Sequence, residues 1–147
     1  MDYSREIFAR LFIVTRKWEV LFNRENPELT LKQMMCLIVV NSGFTNDPTI
    51  NEIANMLSTS HQNVKAIVLQ LEKKEFVKLY KDPTDKRVTR VKVSDKKELF
   101  WQEQNVKDEK TMQALFDNIS EEHLRITLET IFKLDENVSR YDSEQII

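Results

Sequence analysis

From residue 61 to residue 73 the side chains sort onto two sides of a helix. At 100° per residue, Val64, Ile67, Val68 and Leu71 cluster on one side. Gln62, Ala66, Leu69 and Lys73 lie opposite, flanked by Asn63, Lys65 and Gln70. The outer face has the chemistry of base recognition. Gln and Asn can bond bidentately to adenine N6 and N7, Lys can reach guanine O6 and N7 or a phosphate, and Ala can touch a thymine methyl. Leu69 either meets a thymine methyl or packs on a neighbour, and His61 faces phosphate or solvent. The plainer reading is an ordinary solvated helix face. What favours a groove is the company the face keeps: a turn, a cap and a charged hairpin.

That hairpin carries Lys86, Arg87, Arg90 and Lys92. An arginine at a hairpin tip can lie along or inside a minor groove. Asp85 cannot meet phosphate directly. It either orients Arg87 or another nearby basic group through a charge-assisted hydrogen bond, or forms a surface pair of no consequence. Charge along the chain follows the same division. Residues 49–97 hold 11 basic and 6 acidic side chains, whereas the rest hold 11 and 18. A basic middle between acidic flanks fits a chain whose middle meets a polyanion, though a chance fluctuation would look the same.

The elements that position these groups are legible from pattern. Residues 3–22 repeat Ile7, Phe8, Leu11, Val14, Trp18, Leu21 and Phe22 at helical spacing, with Phe12, Ile13 and Val20 off the stripe. A lone surface helix needs one apolar face, so the surplus points to a second chain. Asn26-Pro27-Glu28 breaks the pattern. Thr30-Leu-Lys-Gln33 has the form of a capping box and opens a buried helix that ends at Asn41-Ser42-Gly43. Thr49-Ile-Asn-Glu52 is a second such box, opening a short helix through Leu57. Ser58-Thr59-Ser60 breaks the chain, and Ser60 caps the helix of 61–75. Two short helices so joined make a helix-turn-helix. Then the period changes to 2: 76–81 and 88–93 read as strands around the turn Asp82-Pro-Thr-Asp-Lys-Arg87. Two further helices follow, one from near Asp95 to about Asn118 and one capped by Ser120, with a frayed tail after Tyr141.

Composition narrows the classes. With 147 residues, one domain is expected. One glycine among them argues against glycine-hungry β folds and phosphate loops, and for a mostly helical chain. A single cysteine, Cys36, allows no internal disulfide and fits a reducing cytoplasm. No stretch reaches the roughly 18 apolar residues of a membrane helix, and the first residues lack a signal peptide's pattern. No metal site, cofactor or catalytic constellation is expected: His61 and His123 lie far apart, and no nucleophile–base or paired-carboxylate arrangement stands out. Met34, Met35 and Met56 read as core filler, and Cys36, in an apolar run, as an inert thiol.

Residues 29–97 resemble the DNA-binding core of the MarR (multiple-antibiotic-resistance regulator) family of bacterial repressors. The matching pieces are Leu29-Thr-Leu-Lys-Gln33, Thr49-Ile-Asn-Glu-Ile-Ala54, Leu71-Glu-Lys-Lys-Glu-Phe-Val77, and Asp82-Pro-Thr-Asp-Lys-Arg87 followed by Val91-Lys-Val-Ser-Asp-Lys96. The resemblance implies one domain over 1–147, mainly α with a small β-hairpin wing. In it a winged helix-turn-helix lobe (29–97) is flanked by N- and C-terminal dimerisation helices (1–28 and 98–147). It further implies a homodimer on a pseudo-palindromic operator, with recognition helices in successive major grooves about 34 Å apart. Ser60, Gln62, Asn63 and Lys65 fall where the family makes base and phosphate contacts, and Asp85 with Arg87 matches its wing motif. Many members bind small, often aromatic, ligands between the dimerisation helices and the lobe. Peroxide-sensing branches place a reactive cysteine in the first helix, whereas Cys36 falls in the second. The chain departs from the family at Ser58, Glu75 and Lys97, where glycine is common. At Glu75 the backbone is expected to adjust rather than take a positive φ.

The reading is therefore a dimeric, sequence-specific, ligand-responsive repressor of transcription on double-stranded DNA, not an enzyme. Its expected DNA contacts are Ser60, His61, Gln62, Asn63, Lys65, Ala66, Lys86, Arg87 and Arg90, with Asp85 orienting the wing. The alternative is a winged-helix module that holds another protein.

Overall fold

The computed structural model describes residues 2–145, Gln145 by its backbone alone. Helices begin where side chains can satisfy the unpaired amides of a first turn. Helix α1 (Tyr3–Glu25) starts behind Asp2, whose carboxylate accepts from the Ser4 and Arg5 amides. Helices α2 (Leu31–Ser42) and α3 (Ile50–Met56) each open with a complete capping box. In α2, Thr30 Oγ1 accepts from the Gln33 amide at 3.2 Å while Gln33 Oε1 accepts from the Thr30 amide at 3.1 Å. Thr49 and Glu52 exchange the same pair of bonds at 3.2 and 2.7 Å. Ser60 caps α4 (His61–Lys73) by accepting from the Asn63 amide.

Strands β1 (Val77–Lys81) and β2 (Thr89–Val93) form a two-stranded antiparallel sheet, with Val77 opposite Val93 and Leu79 opposite Val91. Ser94 caps a 3₁₀ turn (Asp95–Lys97) that leads into α5 (Glu98–Leu115), and α6 (Glu121–Gln145) follows. The fifth helix, expected to run to about Asn118, ends at Leu115, and Asn118 takes φ 59° beyond it. Helix α6 runs past Tyr141, because no glycine or proline in 142–145 stops it and Ser143 bonds back to the Arg140 carbonyl. The last two residues of the expected frayed tail lie outside the described residues.

The chain divides into two compact units, Met1–Glu98 and Leu99–Ile147. The core of the first is Leu29, Cys36, Leu37, Ile53, Val64, Val68, Leu71, Phe76 and Val91, all essentially without solvent contact. Gln33, also buried, sends its Nε2 to Gln70 of α4 at 2.9 Å, and its Oε1 accepts from Lys74 Nζ at 3.2 Å. Helix α1 contributes no buried residue, and Phe8 and Phe12 are 67% and 64% exposed. In the second unit, Phe132 and Val138 of α6 are exposed likewise, at 60% and 68%.

Two helix ends overturn one expectation. Ser58 and Glu75 take φ 50° and 65°, so the backbone does not adjust. Both occupy the left-handed position that closes a helix with a six-residue loop. The Thr59 amide bonds to the Ala54 carbonyl, and the Phe76 amide to the Leu71 carbonyl. Phe76 and Leu71, both fully buried, supply the apolar contact that accompanies this closure. The lone glycine serves elsewhere, at φ −80°: a Cβ on Gly43 would stand 2.6 Å from the Val39 carbonyl oxygen and 2.9 Å from Met56 Sδ.

The wing is organised around Asp82, which is 6% exposed. Its Oδ1 accepts from the Thr84 amide, the Thr84 hydroxyl and the Asp85 amide at 2.8, 2.6 and 3.0 Å. Its Oδ2 pairs with Arg90 Nε, while Arg90 Nη1 donates to the Asp47 carbonyl at 2.7 Å. The Val91 amide bonds to the Pro48 carbonyl, and the Tyr80 hydroxyl donates to Asp47 Oδ2. The hairpin is thereby fastened to the loop between α2 and α3.

Two outcomes follow. Ser58→Gly should raise stability by roughly 0.5–1 kcal/mol by removing the left-handed penalty, read from urea melts. The Thr84 hydroxyl first, then the Arg90 guanidinium and two amides, holds the Asp82 carboxyl well below the ordinary carboxylate range. Its stabilising effect is therefore present above the unfolded titration near pH 4 (about 3.9) and is lost as the pH falls below it. Asp82→Asn should melt at lower urea than wild type at pH 7, with the gap narrowing in acid. Amide exchange at Thr84 and Asp85 should quicken in the variant.

Candidate nucleic-acid interface

Burial of Val64, Val68 and Leu71 fixes which side of α4 faces outward. Ile67, expected with them, is only partly covered. On the outward side Gln62, Asn63, Lys65 and Ala66 are exposed. Neither the Gln62 amide nor the Lys65 ammonium has a hydrogen bond or ion pair among the described residues. Asn63 Nδ2 donates to Thr59 Oγ1 at 3.2 Å, and His61 Nδ1 lies 2.5 Å from Asn51 Oδ1. That contact favours a proton on Nδ1, which leaves Nε2 of neutral His61 as an acceptor. Gln70 is not free, since its Oε1 accepts from Gln33.

At the wing tip Lys86 and Arg87 are exposed. Asp85 grips Arg87 in a fork: Oδ1 accepts from Nε and from the Arg87 amide, and Oδ2 from Nη2, at 3.1, 3.0 and 3.1 Å. The same bonds hold the Asp85 carboxyl below its ordinary range. Arg87 keeps 91% of its side chain in solvent, so the grip aims the group without covering it. Arg90 differs from the expectation that it contacts DNA. Only 28% of its side chain is exposed, and its guanidinium is engaged by Asp82 and the Asp47 carbonyl. It holds the hairpin rather than extending the tip.

Sequence reasoning missed Asn51, Thr59, Asp47 and Gln33 as supports of this surface. Thr59 could have been found in the Ser-Thr-Ser break. Asp47 and Gln33 meet partners 43 and 37 residues away, which no local pattern announces.

Within the first unit, an open cleft of about 790 Å³ lies between α1, α2 and α4. Phe12, Arg16, Met35 and Ile67 line it, together with Thr59 and Asn63 from the outward surface just described. Arg16 is paired there with Glu19 at 2.6 Å. Cys36 is wholly buried, and burial pushes its thiol up to about 11, far from a reactive thiolate. Among the described residues no cluster of His, Cys, Asp or Glu could hold a metal ion, and no helix is long and apolar enough to cross a membrane.

Comparison with known proteins agrees with this geometry. The model of the MarR family matches residues 29–89. The chain is 26% identical over 94 residues to the uncharacterised HTH-type transcriptional regulator YsmB of Bacillus subtilis (strain 168), a match spanning 64% of each protein. The S. aureus MepR–DNA complex has the same fold, with TM-score 0.76 and 18% identity over 88% of this chain and 97% of that one. So has the PcaV transcriptional regulator from Streptomyces coelicolor in complex with its natural ligand, with TM-score 0.76 and 12% identity over 92% and 96%. Family model, wing sequence and fold agree over the central lobe: residues 29–89 form a winged helix-turn-helix similar to that of the MarR family.

Proposed function

We propose that the protein is a cytoplasmic transcriptional regulator that binds double-stranded DNA as a homodimer. The observation that carries this reading is the uncommitted polar face at the start of α4 beside an arginine already aimed by Asp85. Gln62 and Lys65 keep their bonding capacity for base edges and phosphate, with Ser60, His61, Asn63 and Ala66 around them. Lys86 and Arg87 serve the adjacent minor groove and its phosphates. Arg90 acts through the wing's shape. The DNA-bound relative of the same fold supports this docking.

The exposed apolar residues of α1 and α6 are the surfaces for the second copy, making 1–28 and 98–147 dimerisation segments around one winged lobe in a single domain. Two-fold symmetry then calls for half-sites about 34 Å apart in a pseudo-palindrome. Repression released by a small, aromatic-compatible ligand follows from the cleft. Thr59 and Asn63 line it and also belong to the DNA-facing surface, so an occupant there changes the groups DNA must meet. The relative crystallised with its natural ligand is consistent with such control.

Selection of bound duplexes from a random pool should return a palindrome. Gln62→Ala should cost roughly 1–3 kcal/mol and relax preference at one base pair per half-site, whereas Arg87→Ala should weaken binding to all sequences. Gel-shift titrations in which neither variant differs from wild type would sink the docking. Binding to bulk DNA should fall steeply with salt, and its failure to do so would favour the protein-holding module instead.

A further inference from the structure

Two capped helix starts converge on one imidazole. Thr49 and Glu52 seal the first turn of α3, and Ser60 seals that of α4. Asn51 lies in the first of these turns and His61 opens the second. They meet at 2.5 Å, Asn51 Oδ1 against His61 Nδ1. Both residues are exposed, so the contact closes no core. Neither side chain has another hydrogen bond or ion pair among the described residues. A carbonyl oxygen offers lone pairs only, so the bridging proton belongs to Nδ1. The ring is thereby held in one orientation and one tautomer.

That tautomer limits what Nε2 can meet. In the neutral ring Nε2 is an acceptor, and it lies across the ring from Nδ1, turned away from Asn51. A phosphate oxygen is likewise an acceptor, so the phosphate contact expected of His61 is closed to this form. In a major groove the donors are few: the N4 amine of cytosine and the N6 amine of adenine. Guanine and thymine present only acceptors and a methyl group there. Each base pair therefore carries one such amine, on one strand or the other. Gln62 beside it offers both senses of hydrogen bond, and Lys65 offers donation alone. Neither can tell an amino base from a keto base as an acceptor held in place can.

We propose that His61 is a specificity-determining residue that demands cytosine or adenine on one strand of each half-site. Asn51 is the positioning residue that sets the sense of the imidazole. The proposal rests on the DNA reading of the preceding section, in which the N-terminal residues of α4 meet base edges. A keto base at that position sets acceptor against acceptor and leaves Nε2 unpaired in a closed interface. The expected penalty is about tenfold in affinity per half-site.

The test is selection from a random duplex pool at pH 8, where imidazoles are neutral. Wild type, His61→Ala and Asn51→Ala are each carried through it. Affinities are then measured on the recovered duplex and on a copy with the keto base substituted. Wild type should return one position per half-site restricted to cytosine or adenine on one strand. It should bind the copy changed in both half-sites about a hundredfold more weakly. His61→Ala should lose that restriction and no other. In Asn51→Ala the ring is free to turn a protonated nitrogen to the base, so the same position should also admit guanine and thymine. All three melting temperatures should agree. A uniform loss of affinity in His61→Ala with every preference intact overturns the inference and leaves docking by Gln62 standing. So does an Asn51→Ala selection that matches wild type at this position. A lower melting temperature with preference blurred at all positions marks a structural role and overturns it too. Wild type that enriches no duplex overturns the DNA reading itself.

Discussion

Everything on the outward surface depends on how α4 is held from beneath. Val64, Val68 and Leu71 have no exposed area, and Phe76 closes the helix end against Leu71. Rotating α4 by even a third of a turn would bring Gln or Lys into that core, at a cost of several kcal/mol for an unpaired buried polar group. The rotation of the helix is thus fixed by its apolar residues. Gln62 and Lys65 opposite are left without internal duties, which is the condition a recognition surface requires.

The wing solves a different problem. A two-stranded hairpin is marginal by itself in water. Here Asp82 gathers the turn amides on one oxygen and Arg90 on the other, and Arg90 passes the hold to the Asp47 carbonyl. Arg87, five residues along from Asp82, inherits a fixed base and is oriented again by Asp85. One arginine serves shape and the other stays in solvent, although both look alike in the sequence.

That pair marks where sequence reading stops. The helix starts were legible because capping is local: Thr30 with Gln33, Thr49 with Glu52, and Ser60 with the Asn63 amide all lie three residues apart. The strands were legible from period 2, and the outward face of α4 from 3.6-residue spacing. The engagement of Arg90 was not legible, because one of its acceptors sits 43 residues away in a loop. Nor were the left-handed Ser58 and Glu75. Their side chains disfavour that backbone, and only the fixed positions of Thr59 and Phe76 beyond them impose it. Helix α6 outran its expected end because fraying was inferred from nearness to the terminus rather than from a stop signal.

Gln33 leaves a mechanical consequence. One amide group seals the opening turn of α2 and grasps Gln70 and Lys74 at the closing turns of α4. Leu31 and Lys32 beside it line the cleft. The beginning of one rod and the tail of the other are thus pinned by one side chain, in addition to the apolar core that they share.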